Sequence, residues 1–244
     1  MRVTQEPDAA VDQRRDDLRE NLAEVRARIA AACAAAGRPA GEVSLVAVTK
    51  TFPVSDIRLL SELGITDVGE NRDQEAAPKA AQAAALGLPL TWHFVGQLQV
   101  NKVASVASYA DVIHSVDRQR LVSALGRRAT AGERELCCLI QVGLDEAEGR
   151  GGARPDEVPR LAEAIEAEPG LWLGGVMAVA PLGAPARPAF ARLREIAGAV
   201  RDLYPRATTI SAGMSGDLED AIAEGATLVR IGTALLGGRR AFVR

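Results

Sequence analysis

The feature that most constrains this chain is an alternation, repeated eight times, between short apolar runs and longer amphipathic ones. The apolar runs 44–49, 66–69, 91–95, 111–115, 136–144, 173–178, 208–210 and 227–231 have the length of strands. A run as continuous as Ser44-Leu-Val-Ala-Val-Thr49 suits a strand covered on both faces, as parallel sheets are. Between them, 55–63, 72–85, 101–108, 118–131, 156–167, 188–203 and 217–223 carry helical spacing. Ser55, with an acidic residue directly behind it, and Asp117 mark two helix starts. An opening helix over 11–35 lines up Leu18, Leu22, Val25 and Ile29, and Gly37-Arg-Pro39 stops it. No linker, repeat or compositional break interrupts the pattern, and 180–188 reads as a loop. The predicted fold class is therefore α/β, a single (β/α)8 TIM barrel spanning 1–244 with a helical extension over 1–40. The length of 244 residues suits a barrel better than an open doubly wound sheet, although periodicity alone does not close the ring.

Composition removes several classes of function. A net charge of -3 gives no electrostatic reason to expect nucleic acid or an anionic membrane as partner. Aromatic residues make up 3%, too few for base-stacking platforms. The stretch from Met1 to Asn21 is charged and has no apolar secretory core, and the small-residue run 29–36 is too short for a bilayer. A cytoplasmic location is expected. Cys33, Cys137 and Cys138 have no metal-ligand spacing; the adjacent pair points to opposite faces of a strand, as buried reduced thiols do.

In a barrel of this kind, chemistry collects where strands end and loops leave the C-terminal face. The first strand ends in Lys50. A lysine there either sheds its proton to escape burial, which makes it a nucleophile toward carbonyl compounds, or has left the sheet and meets solvent. The second strand runs into Gly69-Glu-Asn71. The seventh and eighth lead into Ser211-Ala-Gly-Met-Ser-Gly-Asp217 and Gly232-Thr233, small-residue turns before helix starts that can gather backbone N–H groups on an anion. Arg230 interrupts the eighth apolar run and must find acceptors if buried: a ligand, or an inward carboxylate such as Glu70. His93 and His114 stand on different strands without metal-ligand neighbours, so no metal is expected and both read as satisfied core or rim residues. The charged runs 12–19 and 192–195 read as solvated helix faces, and 145–152 as a flexible loop.

Taken together, these segments resemble the pyridoxal phosphate homeostasis protein family, whose barrel is like the N-terminal domain of alanine racemases. The resemblance rests on Val46-Ala-Val-Thr-Lys50, Gly69-Glu-Asn71, Trp92-His-Phe-Val-Gly-Gln-Leu-Gln-Val-Asn-Lys102, Gly174-Gly-Val-Met-Ala-Val-Ala-Pro181, Ser211-Ala-Gly-Met-Ser215 and Val229-Arg-Ile-Gly-Thr233, in family order. It implies that Lys50 holds pyridoxal 5'-phosphate as a Schiff base and that Asn71 lies beside the ring. Ser211, Met214, Ser215, Gly232 and Thr233 would line the phosphate, with Arg230 facing the pyridine nitrogen. Two departures are Arg150, where the family usually has lysine, and Leu218, where it usually has methionine.

The function so implied is a cofactor carrier in vitamin B6 homeostasis, handing pyridoxal phosphate to apoenzymes. An arginine opposite the ring nitrogen can only donate, which keeps that nitrogen unprotonated and weakens the cofactor as an electron sink. The resembling racemases also use a tyrosine from a second, β-rich domain, whereas this sequence ends at Arg244 just after the barrel. No catalytic residue is assigned, and a monomer is expected. Two rivals stay open: a racemase or related enzyme of low activity, and a phosphosugar-type barrel in which Lys50 forms a Schiff base with substrate.

Overall fold

A computed structural model of the chain describes residues 6–144 and 151–238. Helix α1 (Glu6–Ala35) precedes a strict alternation: β1 (Ser44–Val48), α2 (Val54–Glu62), β2 (Asp67–Glu70), α3 (Asp73–Ala85), β3 (Thr91–Phe94), α4 (Val103–Tyr109), β4 (Val112–Val116) and α5 (Gln119–Ala131). It continues through β5 (Leu136–Gln141), α6 (Val158–Ala167), β6 (Leu171–Met177), α7 (Ala186–Leu203), β7 (Thr209–Ser211), α8 (Leu218–Ala223), β8 (Leu228–Ile231) and α9 (Thr233–Leu236). The strands pair in parallel in chain order, and β1 also pairs with β8, so the ring closes as a (β/α)8 barrel.

The differences from the sequence reading lie at element ends. Helix α2 starts at Val54 behind Pro53, and Ser55 lies inside it without capping. Proline fixes φ near the helical value, so the turn is set before a side-chain cap is needed. Helix α5 has Arg118 at its N-cap, while Asp117 pairs with the Arg118 guanidinium instead. Strand β5 stops at Gln141, and only a single bridge from Val142 to Ala153 carries the pairing further. Helix α9 was not anticipated, because four residues are too few to show a 3.6-residue period.

Side chains alternate across each strand. Outward positions pack under the helices in three apolar groups, one of them joining α1 to β1, β8, α8 and α9. Inward positions are divided: Cys137, Leu139 and Met177 fill one side, while Asp67, His93, His114, Ser211 and Arg230 form a bonded polar file on the other. Cys137 and Cys138 do face opposite ways, and among the described residues all three cysteines are buried and free. Burial pushes the Cys137 thiol up to about 12. Among the described residues no helix is long and apolar enough to cross a membrane.

Helix α1 is more than a solvated appendage. Leu18, Leu22, Val25 and Ile29 are buried as the spacing requires, each contributing about 1.5–3 kcal/mol of apolar burial. The charged run 12–19 is not wholly solvated: Arg14 bonds Asp56 at 2.7 Å and the Leu236 carbonyl at 3.1 Å. Leu18→Ala should cost about 2–5 kcal/mol. Urea unfolding would register this as a lower midpoint at unchanged slope; a loss below about 1 kcal/mol would contradict the packing of α1 described above.

Candidate functional site

At the C-terminal mouth of the barrel lies a cavity of about 430 Å³. Its walls include Lys50, Asn71, Val95, Gly96, Val179, Met214, Ser215, Gly216, Arg230, Gly232 and Thr233. Seven of the eight positions singled out from the sequence thus meet around one space. Ser211 is the eighth. It is fully buried, and its hydroxyl lies beneath Arg230 rather than on the cavity wall, because β7 ends there with that side chain turned inward.

Lys50 stands two residues past β1 and is exposed. The cost of burying an unpaired ammonium, on which the sequence reading leaned, does not arise there. The turn that carries it is held from behind. Thr51 has φ of +69°, an unfavourable conformation for a β-branched residue, and its N–H donates to Glu75 of α3 at 3.0 Å. Lys79, also on α3, donates to the Thr49 carbonyl at 2.8 Å and to Glu70 at 2.7 Å. Glu70 accepts from the Thr49 hydroxyl as well, while its second carboxylate oxygen has no partner. Burial raises the Glu70 carboxyl above its usual range, against the opposing pull of Lys79. Glu70 therefore faces outward under α3, and the expected Glu70–Arg230 pair does not form; the alternation of β2 puts Asp67 and Gly69 on the inner face instead.

Opposite Lys50, two turns make a cradle of small residues. Gly213 has φ of +92°, and a Cβ there would come within 2.8 Å of Ala221, so the turn into 214–216 needs glycine. Gly216 has open space where a side chain would stand. The Ser215 hydroxyl accepts from the Ala234 N–H at 3.2 Å and from the Thr233 hydroxyl at 3.3 Å, which ties the loop after β7 to the start of α9. The Met214 N–H is bound by Asp217 at 2.6 Å. Arg28 of α1 donates to the Ser215 carbonyl at 3.0 Å, and Asn21 to the Leu235 carbonyl at 3.0 Å. On the third side, Gly96 approaches Asn71 so closely that a Cβ would sit 2.1 Å from its carbonyl oxygen. Val95, Gly96, Val179, Arg28 and Lys79 were not anticipated; only the fold brings them to the site.

Arg230 forms the floor. It is 5% exposed, and Nη1 donates to the Ser211 carbonyl and hydroxyl at 2.8 and 2.6 Å, Nη2 to the Ala178 carbonyl at 2.9 Å. Burial lowers its pKa to about 10, so it remains a cation at neutral pH. The site combines an exposed primary amine, an apolar wall, a fixed guanidinium and a small-residue turn beside a helix start. That set can hold a flat carbonyl compound bearing an anionic group. Gly216, with open space where a side chain would stand, leaves the cradle accessible to such a group.

Comparison with known proteins adds a family to this geometry. Residues 15–240 match the family model described as "Alanine racemase, N-terminal domain". The pyridoxal phosphate homeostasis protein of Corynebacterium glutamicum is 43% identical over 210 residues, covering 83% of this chain and 93% of its own. That of Mycobacterium tuberculosis is 44% identical over 222 residues, covering 84% and 86%. The chain belongs to the pyridoxal phosphate homeostasis protein family. Among solved structures, PipY of Synechococcus elongatus with PLP bound superposes at a TM-score of 0.77 with 35% identity, covering 90% of this chain and 100% of PipY. An alanine racemase of Clostridium difficile, 14% identical, shares the fold at a TM-score of 0.71, with 93% of this chain and 58% of that one covered.

Of the two departures noted from the family pattern, Leu218 opens α8 and is fully buried beside α1, away from the cavity. Arg150 and positions 145–149 lie outside the described residues.

The Glu70–Lys79 pair gives a test of how the Lys50 turn is held. A carboxyl whose folded pKa is raised destabilises the fold once pH exceeds its unfolded value, and that penalty fades in acid as the group takes a proton. Lys79→Met removes the cation and should cost about 3–5 kcal/mol near pH 8. The same variant should lose clearly less at pH 5, which denaturant melts at the two pH values would resolve.

Proposed function

We propose that the protein binds pyridoxal 5'-phosphate in the mouth cavity and serves intracellular vitamin B6 homeostasis. The reading is carried by one juxtaposition: the exposed Lys50 amine shares a single cavity with the 214–216 and 232–233 turns and with Arg230. The names of the relatives and the solved PLP complex of PipY support it. When bound, the cofactor supplies a reactive aldehyde and an anionic phosphate. Lys50 provides the amine whose nitrogen bonds the aldehyde carbon as a Schiff base, with loss of one water. Ser215, Thr233 and the backbone at Gly216 and Gly232 receive the phosphate, helped by the start of α9, while Met214, its N–H held by Asp217, lines the same turn. Asn71, seated by Gly96, lies beside the ring, and Arg230 offers donors from the floor.

The same wall favours holding over turnover. Lys50 and Arg230 carry the ionisable side chains among the described residues that line the cavity. Arg230 gives up no proton at neutral pH, so a proton taken from one face of a substrate by Lys50 has no partner acid on the other. This chemistry supports the reading of a carrier that limits free aldehyde and passes it to apoenzymes, and we take that carrier to be a cytoplasmic monomer.

Borohydride reduction of the protein loaded with pyridoxal phosphate, followed by peptide mapping, should place one adduct on Lys50. Lys50→Ala should lose the trapped adduct and at least tenfold in affinity, while its unfolding midpoint stays near wild type, since the residue is exposed. Purified protein that takes up no pyridoxal phosphate would point to the phosphosugar-type alternative. Lys50-dependent loss of chirality from single-enantiomer amino acids would point to the racemase.

A further inference from the structure

The barrel's polar inner file has a direction that hydrogen-bond chemistry forces. Arg230 has only donors, so at its 2.6 Å contact the Ser211 hydroxyl oxygen accepts. At the far end, Asp67 sits on the first residue of β2, one-third exposed, in a groove lined by Arg26 and Thr66. Its second oxygen accepts from the Thr66 hydroxyl at 2.7 Å, and its hydrogen bonds hold the carboxyl below the usual range, the one from His93 most of all. An ionised carboxylate only accepts. Between these fixed ends lie three contacts: Asp67 to His93 Nε2 at 3.0 Å, His93 Nδ1 to His114 Nε2 at 2.8 Å, and His114 Nδ1 to Ser211 Oγ at 3.0 Å.

One proton arrangement of two neutral imidazoles satisfies every contact. His93 donates from Nε2 to Asp67, His114 donates from Nε2 to His93 Nδ1, and Ser211 donates to His114 Nδ1. The Ser211 oxygen is then left facing the Arg230 guanidinium. A proton added to His114 would sit on Nδ1, turn the His114–Ser211 bond around and put a second donor against the Ser211 oxygen. Burial opposes that proton first, with His93 and Arg230 acting in the same sense, and together they hold His114 well below the ordinary histidine range. The two rings meet edge to face at 5.1 Å, and both are buried.

We propose that Asp67, His93, His114 and Ser211 form a one-way hydrogen-bond chain that positions Arg230 from the opposite end of the barrel. They are positioning residues. Asp67 lies four strand residues, roughly 13 Å, below Asn71 and touches nothing in the cavity. Each bond polarises the next, so the negative end at Asp67 strengthens the acceptor that Arg230 meets.

The proposal deepens the pyridoxal phosphate reading and rests on it for its binding arm only. Long-range 1H–15N spectra of the ligand-free protein at about pH 8 should show both histidines protonated on Nε2 alone. Asp67→Ala, which removes the terminal acceptor, should shift the ring nitrogens of His93 and His114. It should also weaken pyridoxal phosphate binding about two- to tenfold. Asp67→Asn, which keeps an acceptor oxygen, should retain the Nε2–H forms and most of the affinity. A proton on Nδ1 of either ring in wild type overturns the chain, and so does an Asp67→Ala protein with unchanged nitrogen signals and affinity. If wild type takes up no pyridoxal phosphate, the binding reading fails, while the nitrogen signals still decide the chain.

Discussion

The pairing of β1 with β8 is the contact on which everything else depends. These strands are the first and last of the barrel, and their register sets Val46 against Arg230 and Ala47 against Ile231. Two residues further along each strand, the same register brings the Lys50 turn next to Gly232 and Thr233. An open sheet of the same eight strands would leave the amine at one edge and the anion cradle at the other. Closure also leaves no strand edge free to pair with another chain, while the helices cover the outward apolar faces.

Two buried charges sit close to that seam and are satisfied in different ways. Arg230, inside the barrel, is met by two carbonyls and a hydroxyl, with no carboxylate in contact. Its hydrogen-bond partners are neutral, and Asp217 acts on its charge only at longer range, so the floor of the cavity carries a fixed positive charge. Glu70, outside the barrel, is met by Lys79 and Thr49, and the pair anchors α3 against the end of β1. Inner and outer faces of adjacent strands thus divide the work, one presenting charge and the other fixing the turn that carries the amine.

Much of this was legible in the sequence. The eightfold alternation gave the barrel because strand and helix periods are local properties. Lys50, Asn71, Met214, Ser215, Arg230, Gly232 and Thr233 could be gathered because they all follow strand ends, where a barrel places its loops. Ser211 was placed one level too high, since one residue separates a strand's last inward side chain from the loop above. The partners of Arg230 were illegible: two are backbone carbonyls, which no residue type announces. His93 and His114 looked isolated because 21 residues of chain separate them, and only the β3–β4 pairing brings the rings together. Arg14 and Arg28 were lost in a helix whose charges otherwise do face water.

The way α1 is attached has a consequence for how the molecule loosens. Arg14, Asn21 and Arg28 recur every seven residues, close to two helical turns, so they lie along one line of the helix. Each bonds a carbonyl near the chain's other end, at Leu236, Leu235 and Ser215. Helix α1 and the segment 215–236 are therefore laced into one cooperative unit. Loosening of α1 frees α9 as well, and amide protons on the two helices should exchange with solvent at a common rate.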